Sequence, residues 1–333
     1  MKFSGWLLLL LIGFPCVAQV AIDNILEADL TDARRFSKDY FNAAAEGAIN
    51  STSNGWYTTA ETKGLFEFEI GFVGNLSFVR DDKKSFVLNE NNYDNLSFIT
   101  TETRRLVANS FGQNSEDITM LVTSDSGGSF EITLPNGLNG EGINTIPTTY
   151  LQGSMGLVKG LELKLRFMPK LKNGEATKVS IVGSAIQSDL SKWIFAMKRW
   201  PVSVSGIVGY TSLRAEHDLS SQTNLEGDSQ EILFRSNSWL FSGIVSTKRE
   251  GLNFYGGFGF FAGTSLTEIK GTYQVTRGSF AGTTLEDPLD VENKESGLKA
   301  TLGTSYAYKK IKANLDYTLQ NYSNLSLGLA FHW

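Results

Sequence analysis

The chain has 333 residues and a formal net charge of −5, and it contains no basic cluster, which argues against a nucleic-acid partner. Its mean hydropathy of −0.13 is that of a soluble protein. The sequence nevertheless contains 33 glycines, 22 Phe, 11 Tyr and 6 Trp. Glycine and aromatic residues are common in β-barrel walls, where alternate side chains face a polar lumen and lower the mean hydropathy.

Residues 1–18 have the features of a secretory signal peptide. Lys2 is their only charge, residues 6–12 form an apolar run too short to span a bilayer, and small residues precede a cleavage site before Gln19. Lipidation of Cys16 is the alternative, although the proline before it fits a lipoprotein signal poorly. Cleavage before Gln19 would leave a mature chain without cysteine, and therefore without disulfides or thiol chemistry.

Residues 19–63 are predicted to form an N-terminal helical plug or periplasmic segment. Within residues 29–50, Thr31 can cap a helix whose apolar residues recur at helical spacing. One helix cannot form a domain by itself, so we expect it either to cover the periplasmic mouth of a barrel or to insert into the lumen as a plug. Phe36 and Tyr40 would then line or close a pocket.

Residues 64–333 are predicted to form a transmembrane antiparallel β-barrel, because several segments alternate between apolar and polar side chains. In residues 161–167, for example, leucine and phenylalanine share one face and three charged side chains share the other. A small soluble core would bury such charges at high cost, whereas a water-filled lumen accepts them. The residues predicted to face the lumen are Glu67, Glu69, Glu162, Lys164, Arg166, Lys312 and Asp316.

The sequence predicts 12–14 strands. Ten are clear, namely residues 65–78 and nine segments from Tyr150 onward, and the others are expected within residues 80–147, where a hairpin turn is predicted at residues 125–128. If both termini are periplasmic, the short and the long connections fall at opposite ends of the barrel, as barrels require. The short connections are residues 158–160, 248–251 and 309–310, and the long ones are residues 214–231 and 263–296.

One connection carries its own helical pattern. Within residues 190–199, one helical face would carry the apolar side chains Leu190, Trp193, Ile194 and Met197. We interpret them as a short amphipathic helix lying at the membrane interface on the periplasmic side. A plain connecting helix is the alternative.

The C-terminal strand has a wholly apolar face and a small or polar opposite face. The spacing of Ser326, Gly328, Phe331 and Trp333 resembles the C-terminal assembly signal of bacterial outer-membrane β-barrels. That resemblance implies that the barrel assembly machinery recognises this strand, and that outer-membrane lipid surrounds the folded protein.

Three motifs carry a family resemblance: residues 55–60 (Gly-Trp-Tyr-Thr-Thr-Ala), residues 156–169 (Gly-x-x-Lys-Gly-x-Glu-Leu-x-x-Arg-Phe-x-Pro) and residues 183–193. The sequence resembles a family of uncharacterised outer-membrane proteins from Bacteroidota-type bacteria, itself similar to the FadL-like long-chain fatty-acid transporters. The resemblance implies an N-terminal hatch and a barrel of about fourteen strands. It implies no substrate, and the Asn-Pro-Ala hatch motif of the fatty-acid transporters is absent.

The sequence offers little catalytic chemistry. It has two histidines, of which His217 lies between Glu216 and Asp218 in a predicted outer loop and His332 lies in the last strand. It contains neither an HExxH motif nor a cysteine cluster, so we expect no metal site, no cofactor and no enzymatic activity. Of three possible functions, namely a transport barrel, a structural or secretion-associated barrel and an envelope enzyme using a Ser-His pair, the enzyme is therefore the least supported.

Passive transport of a small hydrophobic or amphipathic solute is the function that these features favour, with the N-terminal helix as gate and a hydrophobic small molecule as the ligand. The alternative is a structural or secretion-associated outer-membrane protein that acts through its outer loops or its periplasmic face. The sequence does not decide between the two.

Overall fold

The computed structural model describes residues 29–123, 128–173, 177–220, 225–249, 251–276 and 281–333. Outside these ranges lie the predicted signal peptide with Cys16, the predicted cleavage site before Gln19, and most of the predicted turn at residues 125–128. The helices are α1 (Leu30–Thr52) and α2 (Leu190–Trp193). The strands are β1 (Phe68–Phe78), β2 (Ser85–Asn89), β3 (Leu96–Phe98), β4 (Arg104–Ala108), β5 (Thr119–Thr123), β6 (Ser129–Thr133), β7 (Thr145–Gly156), β8 (Leu161–Asn173), β9 (Thr177–Asp189), β10 (Val202–Asp218), β11 (Glu231–Thr247), β12 (Leu252–Lys270), β13 (Thr272–Gln274), β14 (Thr284–Glu286), β15 (Leu289–Tyr308), β16 (Ile311–Leu319) and β17 (Asn324–His332).

Ten of these described strands close into an antiparallel barrel, in the order β1, β17, β16, β15, β12, β11, β10, β9, β8, β7 and back to β1. Strand β1 completes the wall, because its Ile70 lies opposite both Phe331 of β17 and Gly153 of β7. Closure pairs both edges of every wall strand, which satisfies the backbone polar groups without water.

The predicted fold class, a closed antiparallel barrel with an N-terminal helix, is confirmed, but the predicted count of 12–14 strands is wrong, because the described wall has ten. Strands β2 to β6 contain only three to five residues each. A strand needs about 9–11 residues to cross an apolar layer. These short strands instead form a two-stranded sheet, β2 with β4, and a three-stranded sheet of β3, β5 and β6.

The two ends of the barrel differ in their connections. At the end where β1 begins and β17 ends, here called the terminal end, strands are joined by residues 157–160, 190–201, 248–251 and 309–310. At the other end, here called the loop end, residues 79–144, 219–230 and 271–288 form the long connections. The connections predicted to be short and those predicted to be long lie at opposite ends. The separation is not complete, because residues 190–201 at the terminal end are as long as residues 219–230, and residues 320–323 form a short connection at the loop end. The long loops are shorter than predicted because β10, β11, β12 and β15 extend well beyond the rest of the wall.

The chain before β1 threads the lumen from the loop end to the terminal end. At the start of α1, Arg34 forms an ion pair with Asp290 at the loop end of β15 (3.0 Å). Beyond α1, the backbone nitrogen of Ala60 donates to Ser246 Oγ of β11 (2.9 Å), and Lys63 reaches the terminal end. Every residue of α1 from 43 to 52 is buried. The segment is therefore a plug inside the lumen and does not cover the periplasmic mouth.

The loop end is covered by residues 79–144, here called the cap. The small sheets of the cap share one hydrophobic core with the outer half of α1 and with the loops and strand ends around it. That core contains Phe36 and Tyr40 of α1, Met120 and Val122 of β5, and Tyr273 of β13. The outer half of α1 is thus fixed by the cap, and its inner half by the barrel wall.

The start of α1 differs from the prediction. The N-cap residue of α1 is Asp29 and not Thr31. The Asp29 side chain accepts hydrogen bonds from the backbone nitrogens of Thr31 (2.6 Å) and Asp32 (3.1 Å). Aspartate and threonine can both be N-cap residues, but an N-cap must precede the first helical turn, which here begins at Leu30.

The outer surface of the barrel is apolar, because the wall side chains alternate. Every wall strand exposes large apolar residues on its outer face: β7 exposes only Leu151, β10 exposes only Val208, and each of the other eight exposes at least two. Aromatic residues are exposed near the terminal end of the wall, as in the girdles that barrels place at the membrane interface. They include Trp193, Phe195, Trp200, Tyr306, Tyr308 and Trp333.

Residues 190–199 are not one amphipathic helix. Helix α2 ends at Trp193, and a 3-10 turn follows at Phe195–Arg199. Between them the β-branched Ile194 is extended (φ −94°, ψ 110°), which interrupts the helix. Trp193, Ile194 and Phe195 are nevertheless exposed side by side with the aromatic residues of the terminal end.

Leu165 and Leu106 provide a test of the apolar exterior, since both are exposed (54% and 63%) but only Leu165 lies on the barrel wall. We expect Leu165→Arg to lower the free energy of unfolding in lipid vesicles by about 2–4 kcal/mol, if it lies near the bilayer midplane. The matched change Leu106→Arg, on the cap, should cost close to nothing. Denaturant titrations of both variants measure the difference, and equal costs would contradict a lipid-facing wall.

Candidate functional site: the plugged lumen

The chain that follows α1 fills the terminal half of the lumen. Trp56, Tyr57 and Ala60 form a buried cluster with five wall residues, among them Ile244 and Tyr255. Wall glycines make this possible: a Cβ on Gly209 would lie 3.0 Å from the Trp56 ring, and a Cβ on Gly257 would collide with the Tyr57 hydroxyl. Gly209 and Gly257 of the wall therefore leave the space that the plug occupies.

Two buried cations meet the C-terminal end of α1. Arg166 donates to the carbonyl oxygens of Thr52 (3.0 Å) and Asn54 (2.6 Å), and its guanidinium lies 3.4 Å from the centre of the Trp56 ring. Lys299 donates to the carbonyl oxygen of Ser53 (3.1 Å) and also contacts the Asn54 side chain. The last carbonyls of a helix lack partners within it and carry partial negative charge, so both cations complement this end of α1.

An ionic cluster closes the terminal end of the lumen. Lys63 of the plug lies 3.2 Å from Glu162 and 3.5 Å from Glu69, while Lys164 lies 2.8 Å from Glu162 and Lys312 lies 3.7 Å from Glu69. Glu162 and Lys164 are buried, and the other three side chains are 13–17% exposed. Each charge has an opposite partner, as buried charges require. The cluster joins the end of the plug to three wall strands.

The structure thus brings together four of the residues predicted to face the lumen, Glu69, Glu162, Lys164 and Lys312. Arg166 lies deeper, at the end of α1, and Asp316 is buried and accepts from the Tyr255 hydroxyl (2.8 Å).

Glu67 does not face the lumen. It is exposed and accepts from the backbone nitrogen of Gly64 (2.8 Å) in the turn before β1. Phe66 has a positive φ of 61°, which breaks the extended run that the alternation predicted, so the strand begins only at Phe68.

Phe36 and Tyr40 lie on the plug helix but line no described cavity. Their rings stack at 5.7 Å within the core shared with the cap, and the Tyr40 hydroxyl donates to the carbonyl oxygen of Asn136 (3.0 Å). Nearby, Asp32 accepts from the backbone nitrogens of Asp94 (3.0 Å) and Asn95 (2.8 Å). Burial raises the pKa of the Asp32 carboxyl, although these two donors favour its charged form. These residues anchor α1 to the cap.

An apolar cavity of about 130 Å³ separates α1 from the wall in the loop-end half of the barrel. Its volume is close to that of apolar protein cavities that accept a single benzene ring. The lining is almost entirely apolar, with polar groups from a few wall residues. The lining residues are Phe41, Ala44, Ala48, Ile146, Pro147, Thr148, Thr177, Val179, Leu213, Ala215, Glu216, His217, Ile232, Phe234 and Thr267.

His217 belongs to this cavity and not to an outer loop. It lies within β10 opposite Thr177 of β9, and its Nδ1 is 2.7 Å from the Thr177 hydroxyl. Its neighbour Glu216 is paired with Lys170 (2.6 Å) and Arg214 (3.0 Å). The strand is longer than its apolar alternation indicates, because residues 214–218, which are polar except for Ala215, remain paired to the wall.

Several residues of the candidate site carry no recognisable signal in the sequence. Lys63 and Lys299 are isolated lysines, and Thr267 is one of many strand threonines. The cavity lining comes from α1 and five wall strands, so only the packing reveals it. The one local indication is the pair of small residues Ala44 and Ala48, one helical turn apart, which leave space beside the wall.

The C-terminal strand seals the wall. Phe68 and Trp333 exchange backbone hydrogen bonds (3.0 and 3.1 Å), while Phe331 and Trp333 are exposed on the outer face. Ser326 is buried opposite Asp316, and a Cβ on Gly328 would collide with the Asn314 side chain. The four residues of the predicted assembly signal therefore lie where β17 meets both of its neighbours.

Among the described residues, no group of three or more His, Cys, Asp or Glu side chains is placed to hold a metal ion. None of the described helices is both long enough and apolar enough to span a membrane.

A family of unknown function, DUF6588, matches residues 1–333. The chain belongs to this family. No curated protein matches the DUF6588 chain. Three solved structures show distant similarity: Ail of Yersinia pestis (8% identity, 81% of this chain and 100% of that chain, TM-score 0.24), the P. putida toluene transporter TodX (7%, 81% and 91%, 0.24) and a Pseudomonas aeruginosa FadL homologue (9%, 89% and 96%, 0.21). TM-scores this low carry no argument about function.

Arg166 should hold the plug in place. We expect Arg166→Met to lower the free energy of unfolding by about 1.5–3 kcal/mol, the contribution of a hydrogen bond to a charged group. The carbonyls of Thr52 and Asn54 keep the hydroxyls of Thr211 and Tyr150 as neutral donors. Arg80→Met is the matched control, since Arg80 forms an exposed pair with Asp82, and exposed pairs contribute about 0–1 kcal/mol. Denaturant titration in detergent measures both variants, and equal effects would show that Arg166 does not support the plug.

The C-terminal strand should direct assembly. Deleting residues 331–333 removes the Phe68–Trp333 backbone pair and the two exposed aromatic residues, so the protein is expected to be degraded before it reaches a membrane. Membrane fractionation and heat-dependent gel mobility report the outcome. Wild-type levels of a heat-modifiable barrel would refute this role.

Proposed function

We propose that this DUF6588 protein is an outer-membrane barrel for passive transport of a small hydrophobic or amphipathic solute. The apolar cavity between α1 and the wall carries the proposal, because it would hold such a solute inside an otherwise filled lumen. The closed wall with its apolar exterior supports residence in the outer membrane, and the features of residues 1–18 support export. Outer-membrane lipid and the barrel assembly machinery are the proposed partners.

In this proposal the plug is the gate. A solute entering from the loop end would reach the cavity beside Ala44 and Ala48 and would then meet Trp56 and Tyr57, which fill the lumen below it. Passage therefore requires the segment after α1 to move relative to the wall. The ionic cluster and the two cations at the end of α1 hold that segment closed, and binding and gating need no catalytic group or cofactor.

The filled lumen also favours a second candidate, a structural or secretion-associated barrel. A plug bonded to the wall along its whole length would seal such a barrel, and the cap or the terminal end would then contact a protein partner. The two candidates differ in whether the plug must move, and a reversible cross-link can decide between them.

The test fixes the plug to the wall. The hydroxyls of Thr52 on α1 and Ser238 on β11 lie 2.9 Å apart, so Thr52→Cys with Ser238→Cys should form a disulfide in a chain without other cysteines after cleavage. We expect the oxidised variant to lose flux of a hydrophobic probe into liposomes and the reductant to restore it. Thr301→Cys with Thr318→Cys is the matched control, because these hydroxyls lie 2.8 Å apart and join two wall strands.

The plug–wall disulfide and the wall–wall control disulfide together decide whether the plug must move. If oxidation stops flux only when it links the plug to the wall, the gate is supported. If the plug-locked barrel transports the probe as fast as its reduced form, transport through plug movement is wrong. Absence of flux from all forms, including a folded barrel lacking residues 29–50, would favour the structural candidate.

A further inference from the structure

The cavity contains one feature that an apolar solute does not explain. Thr267 of β12 lines the cavity and is 2% exposed, and its hydroxyl has no hydrogen-bond partner among the described protein groups. A buried hydroxyl without a partner costs free energy, and a valine would fill almost the same volume. The remaining lining near it is apolar, including Ala48 and Phe234.

Charge restricts the ligand further. Among the described residues that line the cavity, none is lysine or arginine, and the one carboxylate is Glu216. Lys170 and Arg214 lie beside the cavity but are already paired with Glu216. A ligand carboxylate bound here would be removed from water without a lysine or arginine free to pair with it, which is unfavourable. The lysines and arginines of the lumen serve the ionic cluster and the end of α1 instead.

We propose that the cavity selects a neutral molecule of about one aromatic ring that carries a single hydroxyl or carbonyl group, with Thr267 as the polar anchor. This proposal rests on the proposed function and names the substrate class of the same site. It excludes fatty acids and other carboxylates. The ring would fill the apolar space beside α1, and its polar group would exchange a hydrogen bond with Thr267 Oγ1.

Three probes of similar shape test the selection: benzyl alcohol, toluene and benzoate. Binding is measured by calorimetry on the full-length protein in lipid nanodiscs, with empty nanodiscs subtracted, at pH 8, above the ordinary range of histidine titration. We expect benzyl alcohol to bind more tightly than toluene, and benzoate to bind most weakly. Because the probes differ at one group, the ranking reports the polar anchor and the missing cation separately.

Thr267→Val isolates the anchor. We expect benzyl alcohol to lose affinity by about two- to twelvefold, the effect of one neutral hydrogen bond, while toluene affinity stays unchanged. The variant should unfold at an equal or higher denaturant concentration, because an unpartnered hydroxyl is removed. Ser265→Ala is the matched control, since Ser265 is also a buried, unpartnered hydroxyl of β12 but does not line the cavity.

Ala44→Phe, which fills the cavity, separates this inference from the proposed function. If the filled variant loses binding of all probes but Thr267→Val leaves the preference for benzyl alcohol intact, the anchor is wrong and the cavity remains a binding site. Tighter binding of benzoate than of benzyl alcohol would also overturn the inference. If no probe binds the wild-type protein, both the inference and the proposed site are wrong.

Discussion

A helix that ends inside a closed barrel must find partners for its last carbonyl groups without bulk water. Arg166 and Lys299 provide these partners, and the rest of the lumen depends on this solution. Each cation reaches α1 from the wall, so the position and the direction of the plug are fixed together. The isolated charges of the wall, which would be costly alone, become satisfied by the helix that they stabilise.

This arrangement divides the lumen into two halves. On the terminal side, Trp56 and Tyr57 pack into space left by wall glycines, and the ionic cluster around Lys63 joins the end of the plug to the wall. On the loop side, the small residues of α1 leave the apolar cavity, and the cap holds the start of the helix. A cavity and a closed barrier therefore follow one another along the same axis, which is the arrangement that the proposed transport function needs.

Alternation of period two was sufficient to predict the ten wall strands, because each has to be apolar on one side over its whole crossing. The predicted number of strands was wrong because short segments of residues 79–144 have the composition of wall strands but fold into the cap. Composition does not show whether a strand is long enough to cross the membrane. The prediction that Glu67 faces the lumen was wrong because the positive φ of Phe66 interrupts the extended backbone just before it. Lys63, Lys299 and Thr267 could not be predicted, because their roles arise only when the plug meets strands that are distant in sequence.

Hydrogen exchange of the plug in lipid nanodiscs tests the central claim most directly, because it reports whether α1 is held in the lumen without any mutation. If buried cations fix the end of α1, the backbone amides of residues 43–52 should exchange as slowly as those in the middle of β15. Exchange at the rate of exposed loop amides, with the wall strands still protected, would show that the helix is not fixed there and would contradict the account.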